Sequence, residues 1–256
     1  MAEKETKNNP KDLIEAVPEE IEAITEIEAR APQEKRDRSF SNLEAWIPKT
    51  KLGKLVKEGK EKNIDHVLKE SKKILEPEIV DSLINLDTDL LLIGQAKGKF
   101  GGGKRRAWKQ TQKKTMEGNV MSFSAMAVVG DKKGHVGIGY GKARETLPAR
   151  EKAIRNAKLN LLQVNLGYES RETESEGSAP HTIPFKVNGK CGSVRITFWP
   201  APRGTGLVTG DECKKICRLA GIKDVYSRTQ GKTKTTFNLS RACINALEKT
   251  SEDIKQ

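Results

Sequence analysis

Aromatic residues make up only 5% of the 256 residues, and hydrophobic residues only 35%. So little apolar material excludes one large core and leaves part of the chain without enough to offset its ordering entropy. No run of 18 apolar residues occurs, and the start, Met-Ala-Glu-Lys-Glu, has no apolar signal-peptide stretch. The expectation is a soluble intracellular chain with no membrane partner. Histidine is scarce and scattered, at His66, His135 and His181, and no Gly-x-Ser-x-Gly occurs. Neither a nucleophile–base pair nor a metal set closes, so the expectation is no enzyme, no metal and no cofactor; His66 reads as an ordinary helix residue. Cysteine is limited to Cys191, Cys213, Cys217 and Cys243. Cys213 and Cys217 stand one helical turn apart, a spacing that would present two thiolates to zinc, but no paired Cys-x-x-Cys knuckles accompany them. Buried free thiols in a reducing compartment are the better reading.

Positive charge is abundant. The formal net charge is +12 and the 32% of charged residues is unevenly spread. Residues 1–40 hold 11 Asp/Glu against 7 Lys/Arg, a net of −4, which leaves +16 on the rest. This head reads as an acidic disordered tail. The basic body points to a polyanionic partner, with nucleic acid ahead of an anionic membrane. Residues 94–117 carry eight Lys/Arg and one acid, Glu117. Lys97, Lys99, Lys104, Arg105, Arg106, Lys109, Lys113 and Lys114 repel one another unless phosphate neutralises them, and they are expected to contact RNA. Phe100 and Trp108, interleaved with them, either stack on bases or pack back on the protein.

The chain is organised around Gly118–Val164. Phe123, Ala125, Ala127 and Val129 alternate with Ser122, Ser124, Met126 and Val128, which predicts a strand buried on both faces. Gly130–Gly134 is a turn, and His135–Tyr140 alternates again, completing a hairpin. Glu145–Val164 shifts to period 3.6 and predicts a helix, with Ala153, Ile154, Ala157 and Leu161 on its apolar stripe. With a first strand from Ala107 to Lys114, the order is β-β-β-α. Gly137, Gly139 and Gly141 form a bare strip on the second hairpin strand. It either lies under the alanine-rich helix or admits a foreign backbone. Its G-x-G-x-G spacing after a hairpin is not the G-x-G-x-x-G of a dinucleotide-binding βαβ unit.

Ser122-Phe-Ser-Ala125, Val129-Gly-Asp131, Gly134-His-Val-Gly137 and Gly139-Tyr-Gly-Lys-Ala-Arg-Glu145 resemble the universal small-subunit ribosomal protein S5 family. His181-Thr-Ile-Pro, Cys191-Gly-Ser-Val and Pro200-Ala-Pro-Arg-Gly-Thr-Gly206 resemble its archaeal–eukaryotic branch. The resemblance covers about residues 41–250. One departure is Glu117-Gly118-Asn119, where the family usually has Gly-Gly-Arg, so an RNA-contacting arginine is missing there.

The expected class is α+β, with two small α/β sandwich domains and a helical N-terminal extension over residues 41–93. In that extension Lys51–Glu58 and Ile64–Leu75 read as helices, and Pro77 starts a third. The first domain spans 94–168, with its basic loop at 94–117. A polar linker, 169–180, marks the boundary. The second domain spans 181–250 in the order β-β-α-β-α, and 251–256 is a tail. His181–Val187 reads as a strand, Asn188-Gly189 as a hairpin turn, Ser193–Trp199 as the return strand, and Ser240–Lys249 as the last helix. The resemblance implies a double-stranded-RNA-binding-like first domain, which reads A-form shape rather than sequence. For the second domain it implies a left-handed βαβ crossover, against the usual hand.

Lys132 and Lys133 at the hairpin tip, and Lys142 and Arg144 before the helix, are placed to reach phosphate. Arg203-Gly204-Thr205-Gly206 lies between strand and helix. It is either a tight structural loop or an anion contact built from free backbone N–H groups, a hydroxyl and a guanidinium. It lacks the Gly-Lys-Ser/Thr of a nucleotide-hydrolysing loop. A free-standing RNA-binding regulator would explain the charge. The family resemblance implies instead a structural rRNA-binding protein of the cytoplasmic small ribosomal subunit. It would sit beside the fourth and eighth small-subunit proteins near the messenger RNA entry path, serving assembly and translational accuracy.

Overall fold

Glu76 knots the first described elements together. The computed structural model describes residues 46–70, 73–95, 105–169 and 179–252, and its elements lie in the unit Pro48–Gln256. Helix α1 is Lys51–Lys57, α2 is Ile64–Lys69 and α3 is Pro77–Leu83. The Thr50 hydroxyl caps α1 by accepting the Gly53 N–H at 3.0 Å. Glu76 Oε1 accepts the N–H groups of Lys49 and Thr50 at 2.9 and 2.6 Å, which brings the start of α1 to the start of α3. The helix expected over Ile64–Leu75 ends at Lys69. Glu76 is extended, φ −119° and ψ 122°, because it precedes Pro77. The extension then ends in a strand, β1, Asp87–Leu90.

The remaining elements are β2 (Trp108–Thr115), β3 (Gly118–Gly130), β4 (His135–Ala143), α4 (Thr146–Leu159), β5 (Leu161–Gln163), β6 (Val187–Cys191), β7 (Val194–Pro200), β8 (Leu207–Val208), α5 (Asp211–Ala220), β9 (Val225–Gln230) and α6 (Thr236–Glu252). The first sheet runs β1-β3-β4-β5, with β2 also on β3. All its pairings are antiparallel, and β3 shares one edge between β2, along Gly118–Ala125, and β1, along Ala127–Gly130. The second sheet runs β6-β7-β9-β8, with β8 and β9 parallel and α5 between them in sequence.

From Ser124 to Gly130 both faces of β3 are buried, as its apolar alternation requires. Ala125 and Ala127 meet Ala149 and Ala153 of α4. On the other face Met126 and Val128 join the main core, which continues through Ile196, Phe198, Ile216 and Leu247 of the second sheet and its helices. The glycine strip is explained by the helix. A Cβ on Gly137, Gly139 or Gly141 would drive into the backbone of Ala157, Ala153 or Ala149. The strip is filled from within and offers nothing to a foreign backbone.

Several local expectations change. Asn188-Gly189 does not turn: it lies inside β6, and the hairpin turns at Gly192-Ser193, where Gly192 has φ +59°. Gly189 is a glycine because a Cβ would strike the Ala242 carbonyl of α6. The helix expected to Val164 ends at Leu159, and Leu161–Gln163 pairs with His135–Gly137 as β5. The strand expected from His181 begins only at Val187, Thr182 making an isolated bridge to Gly167. A further strand, β8, precedes α5, and α6 starts four residues earlier than its pattern suggested.

Candidate nucleic-acid interface

One face of the first sheet changes character along its length. Where Met126 and Val128 lie, it is core. Two residues back along β3, Ser124 pairs with Lys109 on one side and Lys142 on the other. Lys109 and Lys142 therefore share a row and a face, two strand spacings or about 10 Å apart. Tyr140 marks the transition, its ring 5.3 Å from Phe237 in an edge-on contact with the second sheet's helix. Beyond it, β2 is exposed from Lys109 to Lys114. Gln112–Thr115 pairs with Gly118–Met121, while β4 joins β3 only from Phe123 onward. The result is a two-stranded ribbon carrying Lys113 and Lys114, with Met116 fully exposed at its tip. Glu117 and Gly118, two of the departing residues, lie at that tip.

Lys142 and Arg144 are exposed beside the start of α4, and Arg105 and Arg106 are exposed before β2. Lys97, Lys99, Lys104 and Phe100 lie outside the described residues. Trp108 packs back on the protein: the Arg150 guanidinium of α4 sits 4.9 Å from its ring centroid, and that of Arg106 sits 6.0 Å away. Lys132 and Lys133 are at the exposed β3–β4 turn, but Lys132 Nζ is 2.6 Å from Asp87. Lys132 also has φ +61°, and its N–H donates to the Leu219 carbonyl at 2.9 Å, so the turn is anchored on α5.

The Arg203–Gly206 loop is engaged from inside. Gly206 N–H donates to the buried Asp224 carboxylate at 2.8 Å, and Arg203 Nη2 donates to the Ala179 carbonyl at 3.0 Å. The anion held by this loop's Gly206 N–H is the chain's own. The His181 ring lies beneath it, 3.9 Å from Asp224. His66 is an exposed helix residue, its ring nitrogens 3.5 and 3.6 Å from Glu61 and Glu70.

All four cysteines are free. Cys213, Cys217 and Cys243 are buried in the main core. The Cys243 thiol is pushed well above its ordinary range by its hydrogen bonds with Cys213 and Cys217 and by burial. Sequence reasoning did not find the contact sites of α5: Glu212 Oε2 accepts the Leu92 N–H at 2.9 Å, and Lys215 Nζ donates to the Leu90 carbonyl at 2.8 Å. Their signal was an acid and a base one helical turn apart, which has no meaning until β1 is placed beside them.

A basic ribbon on a sheet backed by a helix, joined through one core to a second α/β layer, agrees with what comparison of the chain finds. The ribosomal protein S5 N-terminal domain matches residues 104–165, and the ribosomal protein S5 C-terminal domain matches residues 189–254. A small ribosomal subunit protein uS5 of Nanoarchaeum equitans is 51% identical over 211 residues, covering 82% of this chain and 90% of the relative. The chain belongs to the ribosomal protein S5 family. A protein of the same name from Aeropyrum pernix is 46% identical over 84% of this chain and 91% of its own, and one from Staphylothermus marinus is 45% identical over 81% and 90%. These archaeal S5 relatives bear out the branch that the His181 and Pro200 motifs resembled. The S5 family is not enzymatic, and among the described residues no helix is long and apolar enough to cross a membrane.

Proposed function

We infer that the chain is a structural, rRNA-binding protein of the small ribosomal subunit, working within the ribosome in the cytoplasm. The observation that carries this is the S5 match over both domains together with the archaeal relatives. The proposed contacts are the exposed cations of the ribbon and sheet end: Arg105, Arg106, Lys109, Lys113, Lys114, Lys142 and Arg144. Lys97, Lys99 and Lys104 of the preceding loop extend this group. Lys133 joins it at the turn, and Lys132 does so by exchanging Asp87 for phosphate. Arg203 is a separate contact in the second domain, with Gly204, Thr205 and Gly206 shaping its loop. The proposed domains are 94–168 and 181–250, with the helical extension 41–93 before them and 169–180 as linker. The first adopts a double-stranded-RNA-binding-like arrangement and the second a left-handed crossover through β8, α5 and β9. Neighbours are the fourth and eighth small-subunit proteins, and the position is near the messenger RNA entry path, with an influence on assembly and accuracy.

Phosphate contacts release counterions, so affinity for small-subunit rRNA falls with salt, with a slope of about −0.7 to −0.9 per contact. Lys142→Ala with Arg144→Ala is expected to flatten that slope by roughly 1.5 units with native circular dichroism, because both side chains are exposed. An unchanged slope would move the contacts elsewhere. Failure to co-sediment with small ribosomal subunits would favour a free-standing RNA-binding regulator.

A further inference from the structure

The second sheet has its helices on one face. Val187, Ile196, Phe198 and Val225 point toward them and are buried. The alternate residues form the opposite face, and the register sets them in rows. Lys190 pairs with Arg195 and Arg195 with Gln230; Thr197 pairs with Arg228; Trp199 pairs with Tyr226 and Tyr226 with Val208. Lys190, Arg195 and Arg228 are exposed, Tyr226 is 41% exposed, and Trp199 is half-buried. Lys186 Nζ lies 5.3 Å from the Trp199 ring centroid.

Three features of this face belong together. Two aromatic rings sit side by side in a chain with only three Trp and three Tyr, and they point away from the core. Lys186 lies at the Trp199 ring, and Arg228, then Arg195 and Lys190, follow in successive rows of the same face. None of the four strands contains an Asp or Glu. An apolar protein partner would strand those cations without water or counter-charge. A duplex would present phosphates but no open base faces to the rings. Unpaired RNA supplies both, since every base has a face to stack and every linkage a charge.

We propose that the open face of the second sheet binds unpaired RNA, with bases stacked on Trp199 and Tyr226 and phosphates held by Lys186, Lys190, Arg195 and Arg228. This rests on the rRNA-binding reading and adds a second contact region to it, distinct from the Lys109–Lys142 end of the first sheet.

The test uses the full chain and a 12-nucleotide unpaired RNA of mixed sequence, beside a duplex of equal length. With Trp46→Phe and Trp108→Phe in place, the remaining Trp199 fluorescence is expected to be quenched by the unpaired RNA and much less by the duplex. Tyr226→Ala and Trp199→Ala are each expected to weaken binding by about tenfold, the loss of one stacked base. Trp199→Phe is expected to retain most of the affinity. Arg195→Gln with Arg228→Gln is expected to reduce the salt slope by about 1.4. Parent-like affinity in natively folded Tyr226→Ala, with small-subunit rRNA still bound, would overturn the proposal and leave the rRNA-binding reading intact. Variants that keep the 12-mer but no longer assemble with neighbouring subunit proteins would make the face a protein interface, which also overturns it. Failure of the parent chain to bind rRNA at all would be failure of the underlying reading.

Discussion

His135 Nε2 lies 2.9 Å from Asp65 Oδ1, across 70 residues of sequence. The other ring nitrogen lies 2.6 Å from Asp131 Oδ2. An imidazole facing a carboxylate at each nitrogen satisfies both as a doubly protonated cation. Burial alone would lower its pKa, but the hydrogen bonds and charges of Asp131 and Asp65 outweigh burial and raise it above the ordinary 6.5. Asp131 is held below its ordinary 3.8: burial opposes this, while the His135 ring and the N–H groups of Lys133 and His135 overcome it. The clamp fixes α2 of the extension to the β3–β4 turn.

The clamp makes stability depend on pH in both directions. A raised histidine stabilises fully below its unfolded value, and that contribution fades as pH climbs through the folded value. A depressed aspartate stabilises above its unfolded value, and its contribution fades as pH drops through the folded one. The clamp is therefore strongest between about 3.8 and 6.5. Urea midpoints from pH 4 to 9 should decline above about 6.5, and His135→Gln should remove that decline. His135→Ala should cost about 2 kcal/mol at pH 6, since it removes the charge-assisted hydrogen bonds to Asp131 and Asp65 while Asp131 keeps the N–H groups of Lys133 and residue 135.

Two glycines test space against conformation. Gly139→Ala places a methyl in the backbone of α4 at Ala153 and Ala157. Displacing that helix should cost about 2–4 kcal/mol. Gly204→Ala meets nothing within 4 Å but holds φ +84°, so its cost should be about 1 kcal/mol. Thermal melts of the two variants should keep that order; the reverse would mean that α4 is free to move off the strip.

Thiol reagents should distinguish Cys191 from the rest. Cys191 is half-buried near the β6–β7 turn, whereas Cys213, Cys217 and Cys243 are buried. One thiol should react in native protein and three more only on unfolding, because the reactive species is an accessible thiolate. Fast reaction of more than one native thiol would show that the second-sheet core opens.

The extension should loosen when α5 loses its acceptor. Glu212→Ala leaves the Leu92 N–H without its 2.9 Å partner and should cost about 2 kcal/mol. Amide exchange at Leu92 should quicken more than at Phe198, whose pairing lies within the second sheet. Equal change at both would indicate global destabilisation instead.

Period and composition were enough to derive the hairpin of β3 and β4 and the burial of the second half of β3 on both faces, but they left the glycine strip open between the helix and a foreign backbone. These are local facts: alternation and helical spacing record which side of an element avoids water, whatever lies on that side. The charge split, the basic segment before β3 and the family motifs were equally open to inspection. Tertiary structure alone decided the rest. Asn188-Gly189 has turn chemistry, yet Gly189 serves the approach of α6, and nothing nearby in sequence announces Ala242. Leu161 fits the helical stripe, but pairing with Gly137 makes it a strand. Gly206 has a free-looking N–H until Asp224 arrives beneath it. Trp199 and Tyr226 are 27 residues apart and become neighbours only through the β7–β9 register. In each case the deciding partner is distant in sequence, and contact between distant residues is settled by packing, which no local pattern encodes.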